Sequence, residues 1–220
     1  MSVFRFIQPC SPVTAKSVPA GVGWQHEPKL DGYRLQVHKD GPSVRLFSRQ
    51  GYDWTKRLAV LADALRTIPT HSAILDAELV FPGADGVPNF AALRWAMRKQ
   101  RAHELAVYAF DLLHLSGEDL KPLPLSGRRR RLKQLIKQAN KVPCLYLVGA
   151  FVDGQALLEV AEQNGLEGVV SKRRDAPYRS GECRDWVKVK TVAWREANQE
   201  RWRLFEIKKA GARAGGRQHC

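Results

Sequence analysis

The stretch His26–Gly41 reads HEPKLDGYRLQVHKDG, and its second half decides the fold. Tyr33, Leu35 and Val37 alternate with Arg34, Gln36 and His38, the two-residue period of a half-buried strand. Asp40-Gly41 is a turn signal, and Val44, Leu46 and Phe47 resume the apolar pattern beyond it, which predicts an antiparallel hairpin. At the head of that hairpin Lys29 stands two residues before Asp31, three before Gly32 and five before Arg34. A solvated surface strand can carry such charges. A site that makes a lysine amine a nucleophile toward phosphorus requires them. For KLDGYR alone the two readings weigh equally.

Outward from the hairpin, residues 1–23 are rich in Pro, Gly, Ser and Val without a sustained period and are predicted as an irregular arm. The strand pattern begins at Trp24. Residues 54–68 have helical spacing ended by Pro69, 72–81 (SAILDAELVF) read as a strand, and 89–103 as a helix. ELAVYAFDLLHL, 104–115, is a further apolar strand, and 125–139 form a basic helix. A strand at 144–151, a helix at 154–164 stopped by Gly165, and two short strands, GVVSK and DWVKVK, complete the pattern. Strands in pairs with helices between groups give an α+β class with antiparallel sheets. Neither GxxxxGK[ST] nor GxGxxG occurs, so no glycine-rich loop at a helix start is expected to hold a nucleotide. Three segments are expected: an arm at 1–23, a main domain at 24–192 and a short basic extension at 193–220 ending in AGARAGGRQHC.

The chain has 220 residues, 44% of them hydrophobic, enough for a sizeable core. No apolar run is long enough to span a bilayer and no secretory pattern opens the sequence, so a cytoplasmic protein without a membrane partner is expected. Cys10, Cys144, Cys183 and Cys220 lie far apart with no CxxC pair, and read as free thiols. Thirty-six Lys and Arg against 22 Asp and Glu give a formal charge of +14, a field that gathers polyanions. Charge alone does not separate DNA, RNA and an anionic membrane.

A free lysine, with a pKa near ~10.4, must lose its proton before it can attack phosphorus; neighbouring cations or a metal at the phosphate promote that loss. The planar fork of an arginine suits a ribose or phosphate oxygen. Beyond the hairpin follow, in order, Ser48-Arg49-Gln50-Gly51, Asp76-Ala77-Glu78, Phe110-Asp111-Leu112-Leu113, Glu167 to Lys172 and Asp185 to Lys190. Each has an ordinary structural explanation of its own. Together they do more: Lys188 and Lys190 share a strand face and can meet one triphosphate, and Asp31, Glu78 and Glu167 supply acid for a Mg²⁺. Phe110 offers a flat ring for a purine.

This ordered set, WQHEPKLDGYRLQVHKDG, RLFSRQGYDWTKR, ILDAELVF, YAFDLLHL and EGVVSKRRDAPYRSGECRDWVKVK, resembles the ATP-dependent DNA ligases of the covalent nucleotidyltransferase superfamily. The likeness is closest to the adenylation domain of bacterial LigD- and LigC-type end-joining ligases, and it runs from about Trp24 to Lys190. It implies an ATP-grasp-like nucleotidyltransferase fold, ATP with Mg²⁺ or Mn²⁺ as cofactors, and nicked duplex DNA as partner in a bacterial, nucleoid-associated setting. A Ku-like end-binding protein is a further implied partner. By the same resemblance Lys29 forms the bond to AMP, Glu27 lies by the adenine amino group, and Phe110 stacks on adenine. Arg34 and Arg49 contact sugar, phosphates or the nick's 5′-phosphate. Glu78 touches the ribose or assists the metal, Asp31 and Glu167 help hold the metal, and Lys172, Lys188 and Lys190 bind the α-phosphate and leaving group. RNA ligases and capping guanylyltransferases share the lysine motif without FSRQGYDW and YAFDLLHL. A non-catalytic nick-binding module is the rival of another class.

Two departures stand out. Ala77 replaces the glycine usual in the family, which is harmless on a strand. After Lys190 only thirty residues remain, with one helix-like segment and a strand-like RLFEIKK, too few for the five strands of an OB-fold. Two readings follow, a minimal nucleotidyltransferase or an adenylation domain cut from a longer chain, with a separate OB-fold-containing chain as a further candidate partner; slow unaided self-adenylation is expected under either reading. For DNA contact the sequence offers Arg128, Arg129, Arg130, Arg131 and Lys133 on the basic helix, with Lys137 and Lys141 beyond. Trp95, Met97, Arg98, Lys99 and Arg101 form a second candidate surface, on which Trp95 reads as core.

Overall fold

A computed structural model describes residues 5–84 and 86–198. The hairpin is present: β3 (Tyr33–Asp40) pairs antiparallel with β4 (Ser43–Ser48), Asp40 opposite Ser43. On its other edge β3 pairs with β5 (Ser72–Val80), β5 with β6 (Ala106–Leu115), and β6 with the short β7 (Glu118–Asp119) and β8 (Leu145–Leu147). A second, four-stranded sheet has the order β1 (Cys10–Thr14), β10 (Gly181–Lys190), β9 (Gly168–Arg173), β2 (Trp24–Lys29).

Two expectations are corrected here. The sheets are mixed, because β1 runs parallel to β10 and β8 parallel to β6. The expected irregular arm also contains β1, a sheet edge whose Cys10 N–H donates to the Tyr178 hydroxyl at 2.9 Å. A five-residue strand with Pro12 at its centre carries too weak a pattern to be read locally, and β10 supplies its register. The expected strand RLFEIKK and the tail 210–220 lie outside the described residues.

Strand parity builds the layers. Leu35 and Val37 of β3 and Ala73, Leu75, Ala77 and Leu79 of β5 point to one face of the larger sheet. There they meet Leu61 and Leu65 of α1 (Ala59–Leu65), Leu93 and Met97 of α2 (Phe90–Arg98), and Leu132 and Leu135 of α3 (Leu125–Gln138). Ala77 is thus an ordinary buried strand residue. The even positions Arg34, Asp76 and Glu78 turn to the opposite face, toward the smaller sheet. On β6 the two-residue period breaks at irregularities opposite Ile74–Ala77, so Phe110 and Leu113, three apart, share a face. They join Cys10, Ile74, Val148, Tyr178, Cys183 and Trp186 in a second cluster between the sheets. The α4 helix (Gly154–Gln163) packs on β2 and β9, with α5 (Val192–Ala197) against it.

The expected helix at 54–68 is shorter because Asp53 holds Thr55 in a turn, its carboxylate accepting from the Thr55 N–H at 2.9 Å. The strand expected at 144–151 pairs only over Leu145–Leu147 before the chain turns away to bridge Phe151 to His26.

Candidate active site

Three strands of the smaller sheet supply the floor of a cleft of about 440 Å³. Cross-strand partners project to the same side, so the register defines rows. Lys29, Gly168 and Lys190 form one row, Glu27, Val170 and Lys188 the next, and Gln25, Lys172 and Trp186 the third. The blank position at Gly168 is obligatory: φ is +151° and a Cβ there would overlap the Val189 carbonyl oxygen. On either side of the gap, Lys29 Nζ and Lys190 Nζ reach the two oxygens of the Glu167 carboxylate, at 2.6 and 3.0 Å. The opposite wall comes from the larger sheet, with Arg34, Glu78 and Phe110. Gly32 lets β3 cross closely over β5, where a Cβ would strike the Leu79 carbonyl.

The electrostatics are uneven. Burial, reinforced by Lys29, Lys190 and Arg49 nearby, pushes the Lys188 ammonium below the ordinary lysine range, so this end of the cleft favours an anion. Glu78 is pushed up to about 7, mainly by burial, with Lys29 and Arg34 opposing the rise. Lys172 is lowered by burial and opposed by Glu27. It lies 2.5 Å from Glu27 Oε2 and over the Phe110 and Trp186 rings, at 4.3 and 4.0 Å from their centres. Glu27 also accepts from Gln25 Nε2 at 2.8 Å and sits 3.6 Å from Arg129. Arg34 grips Asp76 through two bonds of 2.5 and 2.6 Å, and the Tyr178 hydroxyl donates to the same carboxylate at 2.6 Å. Its guanidinium lies 4.5 Å from the centre of Phe110. Exposed Arg49 donates to the Ser11 hydroxyl at 3.3 Å, so β1 forms part of the rim.

The fold therefore gathers Glu27, Lys29, Asp31, Arg34, Arg49, Glu78, Phe110, Glu167, Lys172 and Lys188 around one cleft, with Lys190 joined through Glu167. Among the described residues no three His, Cys, Asp or Glu side chains form a metal-holding group. The three carboxylates expected to serve a metal, Asp31, Glu78 and Glu167, all line the cleft. Mg²⁺ is usually held by one or two carboxylates completed by substrate phosphates and water, and Glu78 and Glu167 at the Lys29 end suit that arrangement.

Sequence reasoning gave Asp76, Tyr178 and Trp186 no role. A carboxylate in the apolar run ILDAELV was the available signal, since a buried charge needs a partner. The same signal at Asp111 would have corrected the basic helix. Arg128 is fully buried, both arms on Asp111 at 2.8 Å and Nη1 on the Leu123 carbonyl at 2.6 Å. Arg129 is buried against the Phe110 and Val148 carbonyls. Neither offers DNA a surface, contrary to expectation. Arg131 pairs with Glu118, and Arg130 and Lys133 are exposed. Trp95 is corrected in the other direction: it is 40% exposed, while Leu93, Ala96 and Met97 fill the core.

The ATP dependent DNA ligase domain family model matches residues 12–190. The chain belongs to that family. This ligase domain is 40% identical over 167 residues to the multifunctional non-homologous end joining protein LigD of Pseudomonas aeruginosa, covering 76% of this chain and 20% of that protein. It is 34% identical over 194 residues to LigD of Mycobacterium bovis, covering 88% and 24%. The chain thus spans about a quarter of the length of these relatives. Among solved structures, the ligase domain of Mycobacterium tuberculosis LigD superposes with a TM-score of 0.72 at 33% identity, over 84% of this chain and 60% of that one. A mycobacterial DNA ligase D complexed with ATP and MES gives 0.69 at 33% identity, with the same coverage. The nucleotidyltransferase fold expected from the sequence is the fold found.

Proposed function

We propose that the chain joins nicked duplex DNA through a covalent AMP carried on Lys29. The observation that carries this reading is the row Lys29–Gly168–Lys190 with both ammonium groups on Glu167, beside Lys188 in a cleft of nucleotide size. ATP is the substrate. The deprotonated Lys29 amine forms an N–P bond to the α-phosphorus while the bond to the β-phosphate oxygen breaks and pyrophosphate leaves. Lys188 and Lys190 face the charge that develops on the leaving group. Lys172 lines the same cleft and, paired with Glu27, fixes that carboxylate at the cleft wall. Phe110 and Val170 line the space for the base, with Glu27 at its edge. Arg34, held by Asp76, and Arg49 at the rim bind sugar or phosphate oxygens.

The donor set fits Mg²⁺ or Mn²⁺, with Glu78 and Glu167 as protein oxygens and Asp31 at the periphery; such an ion supplies charge neutralisation at the phosphates. The AMP passes to a DNA 5′-phosphate, and the adjacent 3′-hydroxyl then displaces it. The end-joining relatives make repair of broken ends the natural setting, with a Ku-like end-binding protein as partner.

The test is sealing of a labelled nicked duplex. Wild type with ATP should convert it to the joined strand, while GTP and a nicked RNA duplex should give at least tenfold less. Lys29→Ala should give none. Equal sealing by Lys29→Ala, or a preference for GTP or RNA, contradicts the proposal.

A further inference from the structure

The α2 helix carries basic charge and no acid, and it packs against Tyr33, which lines the cleft. Its outer face carries Arg94 and Arg98, one turn apart and both exposed, followed by exposed Lys99 and Arg101. No acid occurs from Phe90 to Lys99, and Glu104, the next one along the chain, is already paired with Arg101. A helix C-terminus favours cations, which accounts for Arg98 and Lys99. It does not account for Arg94, whose repulsion from Arg98 at that spacing is unfavourable to the helix alone. Trp95 lies between them with its ring open to solvent and the Arg101 guanidinium 5.1 Å from the ring centre. Alternating cations and an exposed aromatic ring match a sugar–phosphate backbone: ionic contact to the phosphates, apolar contact to the deoxyribose.

This face is tied to the cleft. Tyr33 and Trp54 both line it. The Tyr33 ring meets Phe90, the first residue of α2, at 5.3 Å, and Trp54 at 5.6 Å. Arg57 continues the path, 5.9 Å from the Trp54 ring and donating to the Met97 carbonyl at 3.4 Å. The basic run of α3 is different: Arg128 and Arg129 are buried and Arg131 is paired with Glu118.

We infer that the outer face of α2, centred on Arg94, Trp95 and Arg98, is the main surface by which this chain holds the duplex flanking the nick, and that the basic run of α3 is not. The choice of a nicked duplex as partner rests on the function proposed above.

The experiment measures the affinity of the full chain for a nicked duplex over a range of salt, with AMP transfer from ATP to the protein in parallel. Two lost phosphate contacts lower the log–log salt slope by about 1.8. The double variant Arg94→Ala/Arg98→Ala should show that drop and about tenfold weaker binding at moderate salt, with AMP transfer unchanged. Trp95→Ala should bind several-fold more weakly at an unchanged slope. Lys133→Ala/Lys137→Ala should match wild type. An unchanged slope in the α2 variant, an equal or greater loss in the α3 variant, or a wild type that takes AMP but does not bind the duplex overturns the inference. A wild type that binds through α2 but takes no AMP overturns the proposed function and leaves this surface standing.

Discussion

Glu78 is a carboxyl set in a wall where burial disfavours its charge, with Lys29 and Arg34 opposing that effect. Its pKa near 7 makes folding stability depend on pH with a definite sign. A carboxyl raised in the folded state contributes stability that is fully present below its ordinary value of 4.5 and is lost as pH rises through about 7. Wild type should therefore lose about 2 kcal/mol relative to Glu78→Gln between mildly acidic and mildly basic pH, partial exposure being allowed for. Chemical denaturation of both proteins across that range measures it. A constant difference, or one of opposite sign, contradicts the environment described for this side chain. Mutual support at the residue scale also explains Arg34: Asp76 and Tyr178 fix its fork before any ligand arrives, so less ordering remains to be done on binding.

At the scale of elements, α3 does two jobs that its sequence reads as one. Its run of four arginines looks like a solvated basic face, yet the helix turns Arg128 and Arg129 inward and only part of the run meets water. Arg128 is the stitch between α3, the middle of β6 at Asp111 and the carbonyl of Ala176. Removing one partner of a fully buried, hydrogen-bonded ion pair costs about 3–5 kcal/mol. Arg128→Ala should destabilise the fold by that order in denaturant titration, whereas Lys133→Ala on the exposed side should change it by about 0.5 kcal/mol or less. Equal effects would mean that Arg128 is not buried as described. The hairpin β3–β4 was legible because Tyr33, Leu35 and Val37 alternate with polar residues up to the Asp40-Gly41 turn, and β5 because its apolar run is short and bounded by turn signals. The exposure of Trp95 and the strand β1 were not. Five residues pairing with a strand at the far end of the chain leave no local trace, and period alone does not say which side of a short amphipathic helix its aromatic residue takes.

For the whole molecule, the legible part of the site was the set of residues, and the hidden part was how they pair. Motif order brought Lys29, Glu167, Lys188 and Lys190 together on paper, but the partnership of Lys172 with Glu27 and of Arg34 with Asp76 depends on the register of two sheets facing each other. The formal charge of +14 was likewise legible as attraction for a polyanion, while its distribution required the fold to bury two of the arginines and leave α2 bare. Among the described residues no helix is long and apolar enough to cross a membrane.

The central claim is that one amine, Lys29, becomes bonded to a nucleotide's phosphorus. Intact-mass spectrometry of the purified chain after incubation with ATP and Mg²⁺, followed by peptide mapping, tests it most directly. The account predicts a gain of a single AMP located on Lys29, absent in Lys29→Ala and reversed by added pyrophosphate. A chain that gains no AMP, or gains it on another residue, would contradict it.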